Sequence, residues 1–249
     1  MREAWVLSVV AAAPLPLAAR ALELICLGGE RGDPASRELL VSLVGALLSE
    51  PTGLAGRLRH EADVGSRLAL GRLLRRAPDI HSERKDAGSR GADSEEEAEE
   101  EEERIPDYGR GRSLTLGERR AMARRPDRRD FDKLLRDPHP MVMVNLLGNP
   151  RLTAEDLVRV CARRSTPREI LSAIARHPRW SRERRIRLAL ILNPRTPEEI
   201  SVPFVSLLTR SELRIVTEVT TTPNVVRVAA KELSVRRPPS SSDEPSGEA

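Results

Sequence analysis

Two stretches of the sequence, Asn145-Leu-Leu-Gly-Asn-Pro-Arg-Leu-Thr-Ala-Glu-Asp-Leu157 and Leu188-Ala-Leu-Ile-Leu-Asn-Pro-Arg-Thr-Pro-Glu-Glu-Ile200, share one arrangement. Each begins as the apolar end of a helix, continues with Asn-Pro-Arg and reaches a threonine before the next apolar run. Because the residue before a proline is pushed out of the α region, Asn149 and Asn193 should lie in turns that end helices. We expect their side chains to bond turn amides. The sequence therefore predicts short helices joined by proline turns.

A second pattern predicts where the helices begin. Threonine is followed three residues later by an acidic residue in four places: Thr115 with Glu118, Thr153 with Asp156, Thr166 with Glu169, and Thr196 with Glu199. In a capping box the threonine hydroxyl accepts from the third helical amide, and the acid bonds the N-cap amide in return. We therefore expect Thr153, Thr166 and Thr196 to be N-caps. Pro167 and Pro197 then occupy the first helical position, where a missing amide costs nothing.

The spacing of the prolines predicts a repeat. Pro126, Pro138 and Pro150 are 12 residues apart, and the two Asn-Pro-Arg units are 44 residues apart. Helices of about 8–11 residues are marginal alone in water, so they must stack on one another. The sequence therefore predicts an all-α protein in which residues 113–237 form a short-helix α-solenoid.

The stretch Leu134-Leu-Arg-Asp-Pro-His-Pro-Met-Val-Met-Val-Asn-Leu-Leu-Gly-Asn-Pro150 resembles the leucine-rich repeat variant and HEAT-like repeat family. In that family a Leu-x-x-Asp-Pro-x-Pro-x-Val-Arg turn leads into a helix that ends at Asn-Pro. The resemblance covers residues 113–236 and implies a right-handed stack of short helices that binds partners rather than catalysing a reaction. Met143 stands where an arginine often follows the valine, and the spacing drifts, so the repeat register stays open. The stretch is also similar to proteins of GC-rich deltaproteobacteria, which implies no activity.

Charge and apolar patterning divide the chain into four parts. Residues 1–80 are predicted to form a small helical N-terminal unit, because leucines recur there at helical spacing. Residues 81–112 are predicted to be a disordered acidic linker, since residues 93–103 contain nine acidic residues and no basic one. The solenoid of residues 113–237 follows. Residues 238–249, rich in Pro, Ser and Glu, are predicted to be a disordered tail.

Composition favours helices and a reducing compartment. Of the 249 residues 39% are apolar but only 2% are aromatic, so the core must be aliphatic, which suits helices better than a β-sandwich. Cys26 and Cys161 lie in apolar helical patterns, which is typical of reduced core thiols in a cytoplasmic protein. The alternative is secretion, since residues 4–13 loosely resemble a signal peptide, although Pro14 interrupts the run. No uninterrupted apolar stretch is long enough for a membrane span.

No catalytic, metal-binding or cofactor-binding motif occurs in the sequence. The four histidines have no ligand spacing, and His139 and His177 adjoin helix-ending prolines, where an imidazole can bond the last carbonyl groups. Acid pairs in first helical turns complement the helix dipole. Gly28 and Gly29 follow no strand, so we interpret them as turn glycines. We therefore expect a protein with no cofactor and no enzymatic activity.

The repeat part carries a strong positive charge. Residues 104–237 contain 29 Arg and Lys against 15 Asp and Glu, a net charge of +14. The candidate partner-binding residues surround one tryptophan or lie one repeat earlier: Arg163, Arg164, Arg168, Arg179, Trp180, Arg182 and Arg185. We interpret them as a basic ridge on successive repeats. The alternative is that arginine, present 39 times against three lysines, reflects a GC-rich bacterial genome and simply covers the surface.

Two functions are compatible with such a ridge. The first is a non-catalytic protein–protein interaction or scaffold module that binds an acidic protein surface, because the repeat pattern occurs without a catalytic set. The second is binding of nucleic acid or another polyanion. It is less favoured, because the few aromatic residues are scattered and DNA-reading motifs are absent. A further hypothesis is that the acidic run 93–103 folds back on the ridge and masks it.

Overall fold

A computed structural model describes residues 8–10, 12–49, 53–75, 105–109, 111–125 and 128–237. Every regular element in these ranges is helical, so the predicted all-α class is confirmed. The acidic run at 93–103 and the tail at 238–249, both predicted to be disordered, lie outside the described residues.

The N-terminal part contains α1 (Leu15–Glu30), α2 (Pro34–Ser49), α3 (Leu54–Val64) and α4 (Leu68–Leu73). Helix α1 packs against the other three. Glu23 of α1 bonds the N-terminal end of α4. Its carboxylate accepts from the amides of Ala69 at 3.0 Å and Leu70 at 2.7 Å. These amides have no partner within their own helix, and an acid there also complements the helix dipole. The bonds therefore fix the start of α4 against α1.

Gly28 and Gly29 are not turn glycines, so this interpretation was wrong. Both lie in the last turn of α1, where α2 approaches closely. A Cβ on Gly29 would stand 2.2 Å from Leu40 Cδ1, and one on Gly28 would stand 2.2 Å from Ser36 Oγ. The missing side chains therefore allow the two helices to pack in contact.

The C-terminal part consists of α5 (Leu116–Arg124), α6 (Arg128–Leu134), α7 (Pro140–Leu147), α8 (Ala154–Ala162), α9 (Arg168–Arg176), a 3₁₀ helix (Trp180–Arg182), α10 (Arg184–Leu192), α11 (Glu198–Val205), α12 (Arg210–Glu218) and α13 (Asn224–Arg236). Helices two positions apart pack together: α5 with α7, α7 with α9, α8 with α10, α10 with α12, and α11 with α13. We call the odd-numbered helices and the even-numbered helices two layers, although α6 with α8 and α9 with α11 make little contact. Fully buried aliphatic side chains such as Leu134, Leu157, Leu171 and Leu213 fill the core.

Helix α2 joins the N-terminal part to these layers. It contacts α9, α11 and the 3₁₀ helix. Arg237, directly after α13, donates to the carbonyls of Ser206 at 3.2 Å and Gly29 at 3.3 Å. Arg75 and Glu232 form an ion pair at 3.0 Å. The described N-terminal helices thus share one hydrophobic core with the C-terminal helices.

Helix starts follow the capping pattern in part. The hydroxyls of Thr115 and Thr153 accept from the amide three residues later, and Glu118 and Asp156 accept from the N-cap amides at 2.9 and 3.1 Å. Both capping boxes are therefore complete. The same spacing forms a third box at Thr209, a position that the sequence prediction omitted.

Thr166 and Thr196 do not cap helices, and this prediction was wrong. Both are buried, and their hydroxyls donate to the carbonyls of Val160 at 2.7 Å and Leu190 at 2.6 Å. The N-cap positions belong to the prolines that follow, which make no side-chain cap. The last four carbonyl groups of a helix have no N–H donor within the helix. A buried hydroxyl that donates to one of them therefore stabilises the end of the preceding helix and not the start of the next one.

The end of the predicted linker packs against the C-terminal helices. Tyr108 is buried, and its hydroxyl donates to Asp137 at 2.8 Å. Ile105 packs against the core. Both residues fall in the range predicted as linker, and they contribute apolar area to the core.

Candidate interaction surface at the helix turns

Four turns between helices use the same side-chain contact. In each, a residue before a proline accepts a bond from the amide two residues later. The acceptors are Asp137, Asn149, His177 and Asn193, with distances of 3.0, 2.9, 3.3 and 2.9 Å. The histidine was expected to donate to carbonyls, and this is corrected: burial and the nearby Arg179 lower the pKa of His177, so Nδ1 keeps a lone pair that accepts.

Side chains in these turns also bond the neighbouring turn of the same layer. Arg163 donates to the carbonyl of Leu135 at 3.2 Å, and Asn193 donates to that of Arg163 at 3.0 Å. These bonds align three turns, residues 135–139, 163–167 and 193–197, which we call row A. Each lies between an even-numbered helix and the next odd-numbered one.

A second set of turns is joined in the same way. Asn149 donates to the carbonyl of Arg124 at 3.4 Å, and the indole N–H of Trp180 donates to that of Leu147 at 3.0 Å. These bonds align the turns at residues 148–153 and 177–183, which we call row B. Helix α8 begins in row B and ends in row A, so the rows are separated by its nine residues, about 14 Å.

The seven candidate residues are therefore divided between the two rows. Arg163, Arg164 and Arg168 lie at row A, whereas Arg179, Trp180, Arg182 and Arg185 lie at row B. Arg164, Arg168, Arg179, Arg182 and Arg185 are exposed, and Arg163 is half-buried. They do not form the single ridge that their closeness in sequence suggested.

Trp180 is a core residue and is removed from the candidate set. Only 2% of it is exposed, and its indole N–H is bonded to a main-chain carbonyl. The guanidinium carbon of Arg179 lies 4.1 Å from the centre of its ring, which is cation–π geometry. The tryptophan thus holds row B together and orients Arg179.

Several arginines beside the rows are paired with acids of a neighbouring helix in the same layer. Arg185 bonds Glu155 at 2.8 Å, and Arg168 approaches Glu199 at 3.5 Å. Exposed pairs of this kind are weak, so they do not hold the arginines away from a partner. They do reduce the net charge that the surface around them presents.

A groove of about 550 Å³ lies in row A between the turn after α6 and the turn after α8. Its volume falls within the range of about 300–1,000 Å³ that is common for ligand pockets. Its apolar lining comprises Leu135, Pro138, Val160, Pro167 and Ile170, and Arg136, Arg163 and Ser165 supply polar groups. The groove therefore combines apolar walls with two cationic side chains.

Neither arginine is paired with a carboxylate of the residues that the structure describes. The pKa of Arg163 is lowered, first by burial and then by the positive charge of Arg136. Arg136 is exposed and forms no ion pair with any described residue. Since like charges repel, an anion bound between these side chains would be stabilised by both.

Asp137 is the one acid among the described residues that line the groove, and it is already bonded elsewhere. Asp137 is buried and accepts from both Arg119 at 2.7 Å and Tyr108 at 2.8 Å. Burial, followed by the bond to Asp137, raises the pKa of the Tyr108 phenol, so the hydroxyl remains a donor. The carboxylate is thus unavailable to the arginines of the groove.

The described residues offer little else for chemistry. Burial raises the pKa of both the Cys26 and Cys161 thiols to about 12, so neither is a thiolate near neutral pH. No three His, Cys, Asp or Glu side chains in the described ranges are placed to hold a metal ion. Another cavity, of about 40 Å³, lies between α1 and α13. Among the helices described, none is long and apolar enough to cross a membrane.

Sequence reasoning missed Arg136, although it stands directly before Asp137-Pro138 in a recognised turn. It could have been found by noting that, when short helices stack, the residues beside each helix-ending proline come to lie next to one another. Comparison with known proteins finds no matching family model, no matching curated protein and no matching solved structure. The candidate site therefore rests on its own geometry.

Proposed function

We propose that the protein is a non-catalytic interaction module whose residues 113–237 form a HEAT-like α-solenoid. The packing of helices two positions apart supports this architecture. So do the bonds from one turn to the carbonyls of the preceding turn in its layer, made by Asn149, Arg163, Trp180 and Asn193. Stacking of this kind presents successive turns in rows, and such rows serve as binding surfaces in repeat proteins.

The proposed ligand is an acidic segment of a protein partner, bound in the row A groove. The observation that carries this proposal is the pair Arg136 and Arg163, two neighbouring cations on an apolar groove. Asp137, the only acid among its described lining residues, is engaged elsewhere. Arginine binds carboxylates through paired N–H donors, and the apolar walls can take up the methylene groups of glutamate. We therefore favour a glutamate-rich peptide over a compact anion.

A labelled poly-glutamate peptide tests the groove. The test uses a full-length variant in which Asp93 and the eight glutamates of residues 95–103 become Asn and Gln, so that the chain's own acids do not compete. In this background Arg136→Glu should weaken binding at least about tenfold, or about 1.4 kcal/mol. Fluorescence anisotropy would measure the affinity.

Arg151→Glu provides the matched control. Arg151 is exposed in row B and has no ion pair among the described residues, so the charge change is identical but lies at the opposite end of α8. Both substitutions should leave stability within about 0.5 kcal/mol. Failure of the neutralised chain to bind the peptide, or equal weakening by both substitutions, would remove the groove as the site.

A second candidate function is binding of nucleic acid along row B. Arg151 and Arg179 are exposed at successive turns of this row, and Arg124 and Arg125 are exposed at the end of α5 beside it. Binding to phosphates releases counterions, so affinity for duplex or single-stranded probes should fall steeply with salt and be weakened by Arg151→Glu. A flat salt response, or no binding near 50 mM salt, would exclude this function.

We also propose that the protein works in the cytoplasm. Cys26 and Cys161 are both free and buried, as expected where thiols stay reduced. Cells that express the full chain can be fractionated to test this. Recovery of the protein outside the cytoplasmic fraction would contradict a cytoplasmic location.

A further inference from the structure

Two residues after the acidic run of residues 93–103, the described part of the chain resumes at residue 105 and reaches the row A groove at Tyr108. Tyr108 is buried and its hydroxyl donates to Asp137, a residue that lines the groove. Lys133 lies close to the next residue, since its Nζ is 3.5 Å from the Cβ position of Gly109. The chain is therefore anchored at the groove only a few residues after the acidic run ends.

The length of chain between the run and the anchor sets how far the run can be from the groove. Glu103 is five positions before Tyr108 in the sequence. A fully extended chain advances by at most about 3.3–3.6 Å per residue, so Glu103 lies within about 18 Å of Tyr108. The C-terminal end of the run is therefore tethered close to Asp137, which lines the groove.

Charge is complementary between the two elements. The run contains nine acidic residues and no basic one, whereas the groove presents two arginines that have no carboxylate partner in the described part of the chain. Attraction between exposed charges acts over a Debye length of about 8 Å at physiological salt, a distance that the tether makes accessible. A segment held this close has an effective concentration in the millimolar range.

We propose that residues 93–103 occupy the row A groove in the isolated protein, with their carboxylates bonded to Arg136 and Arg163. This inference rests on the proposed function, because it assigns that site a competitor within the same chain. A partner segment must then displace the chain's own acids. Residues 93–103 therefore lower the apparent affinity of the groove for acidic partners.

Disulfide trapping tests the contact in the intact chain. Ala98 is the one residue of 95–103 that is not acidic, and Ser165 is an exposed residue lining the groove. In the variant Ala98→Cys with Ser165→Cys, a disulfide should form under mild oxidation about tenfold faster at low salt than at 1 M salt, where screening shortens to about 3 Å.

The matched control is Ala98→Cys with Ala121→Cys. Ala121 is exposed on α5 and does not line the groove. It is two residues from Arg119, whose side chain bonds Asp137, as the hydroxyl of Tyr108 does. The tether therefore serves both cysteine pairs, and only the groove distinguishes them. Equal rates for the two pairs, or a rate at Ser165 that does not change with salt, would overturn the proposal.

Peptide binding separates this proposal from the proposed function. The native chain should bind the poly-glutamate peptide at least about tenfold more weakly than the chain with neutralised residues 93–103. If both chains bind equally and Arg136→Glu weakens both, the groove is a binding site but has no intramolecular occupant. If neither chain binds, the proposed function itself fails, whatever the trapping result.

Discussion

Asn193 is the turn residue whose replacement should cost the most stability. Its buried side chain donates to the carbonyls of Cys161 at 2.7 Å and Arg163 at 3.0 Å, and accepts from the amide of Arg195 at 2.9 Å. A hydrogen bond contributes about 1 kcal/mol net, and more is lost when a buried group is left unsatisfied. Asn193→Ala removes three bonds, so the free energy of unfolding should fall by about 3 kcal/mol.

Asn149 provides the comparison, because it occupies the same kind of turn with fewer good bonds. It accepts from the amide of Arg151 at 2.9 Å, but its bond to the carbonyl of Arg124 is 3.4 Å, long for a hydrogen bond. Asn149→Ala should therefore cost about 1.5 kcal/mol, half as much. Asn193→Asp keeps the acceptor but places a buried carboxylate oxygen against two carbonyl oxygens, so it should cost at least as much as Asn193→Ala.

Urea unfolding followed by circular dichroism would measure these differences, and equal slopes with denaturant would show that the unfolded states are comparable. The reasoning depends on the order of the variants rather than on their absolute values. A loss for Asn149→Ala as large as that for Asn193→Ala would refute it, since the two turns would then be stabilised by something other than the bonds to the neighbouring turn.

Three further predictions follow from buried or paired groups. Thr166→Val should lower the free energy of unfolding in urea by about 1 kcal/mol, because it removes a bonded hydroxyl. Thr222→Val should be neutral or stabilising, because that buried hydroxyl has no partner among the described residues. Equal effects of the two substitutions would contradict the hydrogen bond of Thr166. The bonds from a neighbouring arginine lower the pKa of Glu118 to about 2, so its contribution to stability should be complete above the unfolded value of about 4.3 and disappear as the pH falls through 2. Carboxyl titration by NMR would measure this, and a midpoint near 4.3 in the folded protein would exclude the pairing. Cys26 and Cys161 should resist alkylation at pH 8 in the native protein and react in urea, as mass spectrometry would show, because burial raises the pKa of both thiols to about 12; rapid native labelling would contradict this.

Features that depend on neighbouring residues were predictable from the sequence. The capping boxes at Thr115 and Thr153 need only a hydroxyl and an acid three residues apart. The contact between an Asn-Pro side chain and the amide two residues later is equally local. Thr166 and Thr196 have the same local pattern, yet their hydroxyls bond a carbonyl six residues earlier. The two alternatives differ in burial, which the local pattern does not contain.

The candidate site was less predictable, because it depends on which helix ends meet. Arg163 and Arg179 are 16 residues apart in the sequence but lie in different rows, at opposite ends of α9. Arg136 is 27 residues before Arg163, yet the two line one groove. Composition predicts only that arginines lie at the surface. It does not indicate which of them is paired with an acid.

The sequence by itself determined the all-α class, the short helices and the turns at which most of them end, because proline geometry and helix capping act within a few residues. The tertiary structure alone decided that Trp180 is a core residue and that Asp137 is engaged by Tyr108 and Arg119. It also decided that Arg136 and Arg163 share a groove in which the lining acid, Asp137, is bonded to other residues. Burial and the pairing of charges depend on contacts between helices distant in the chain, and those contacts arise only when the helices stack.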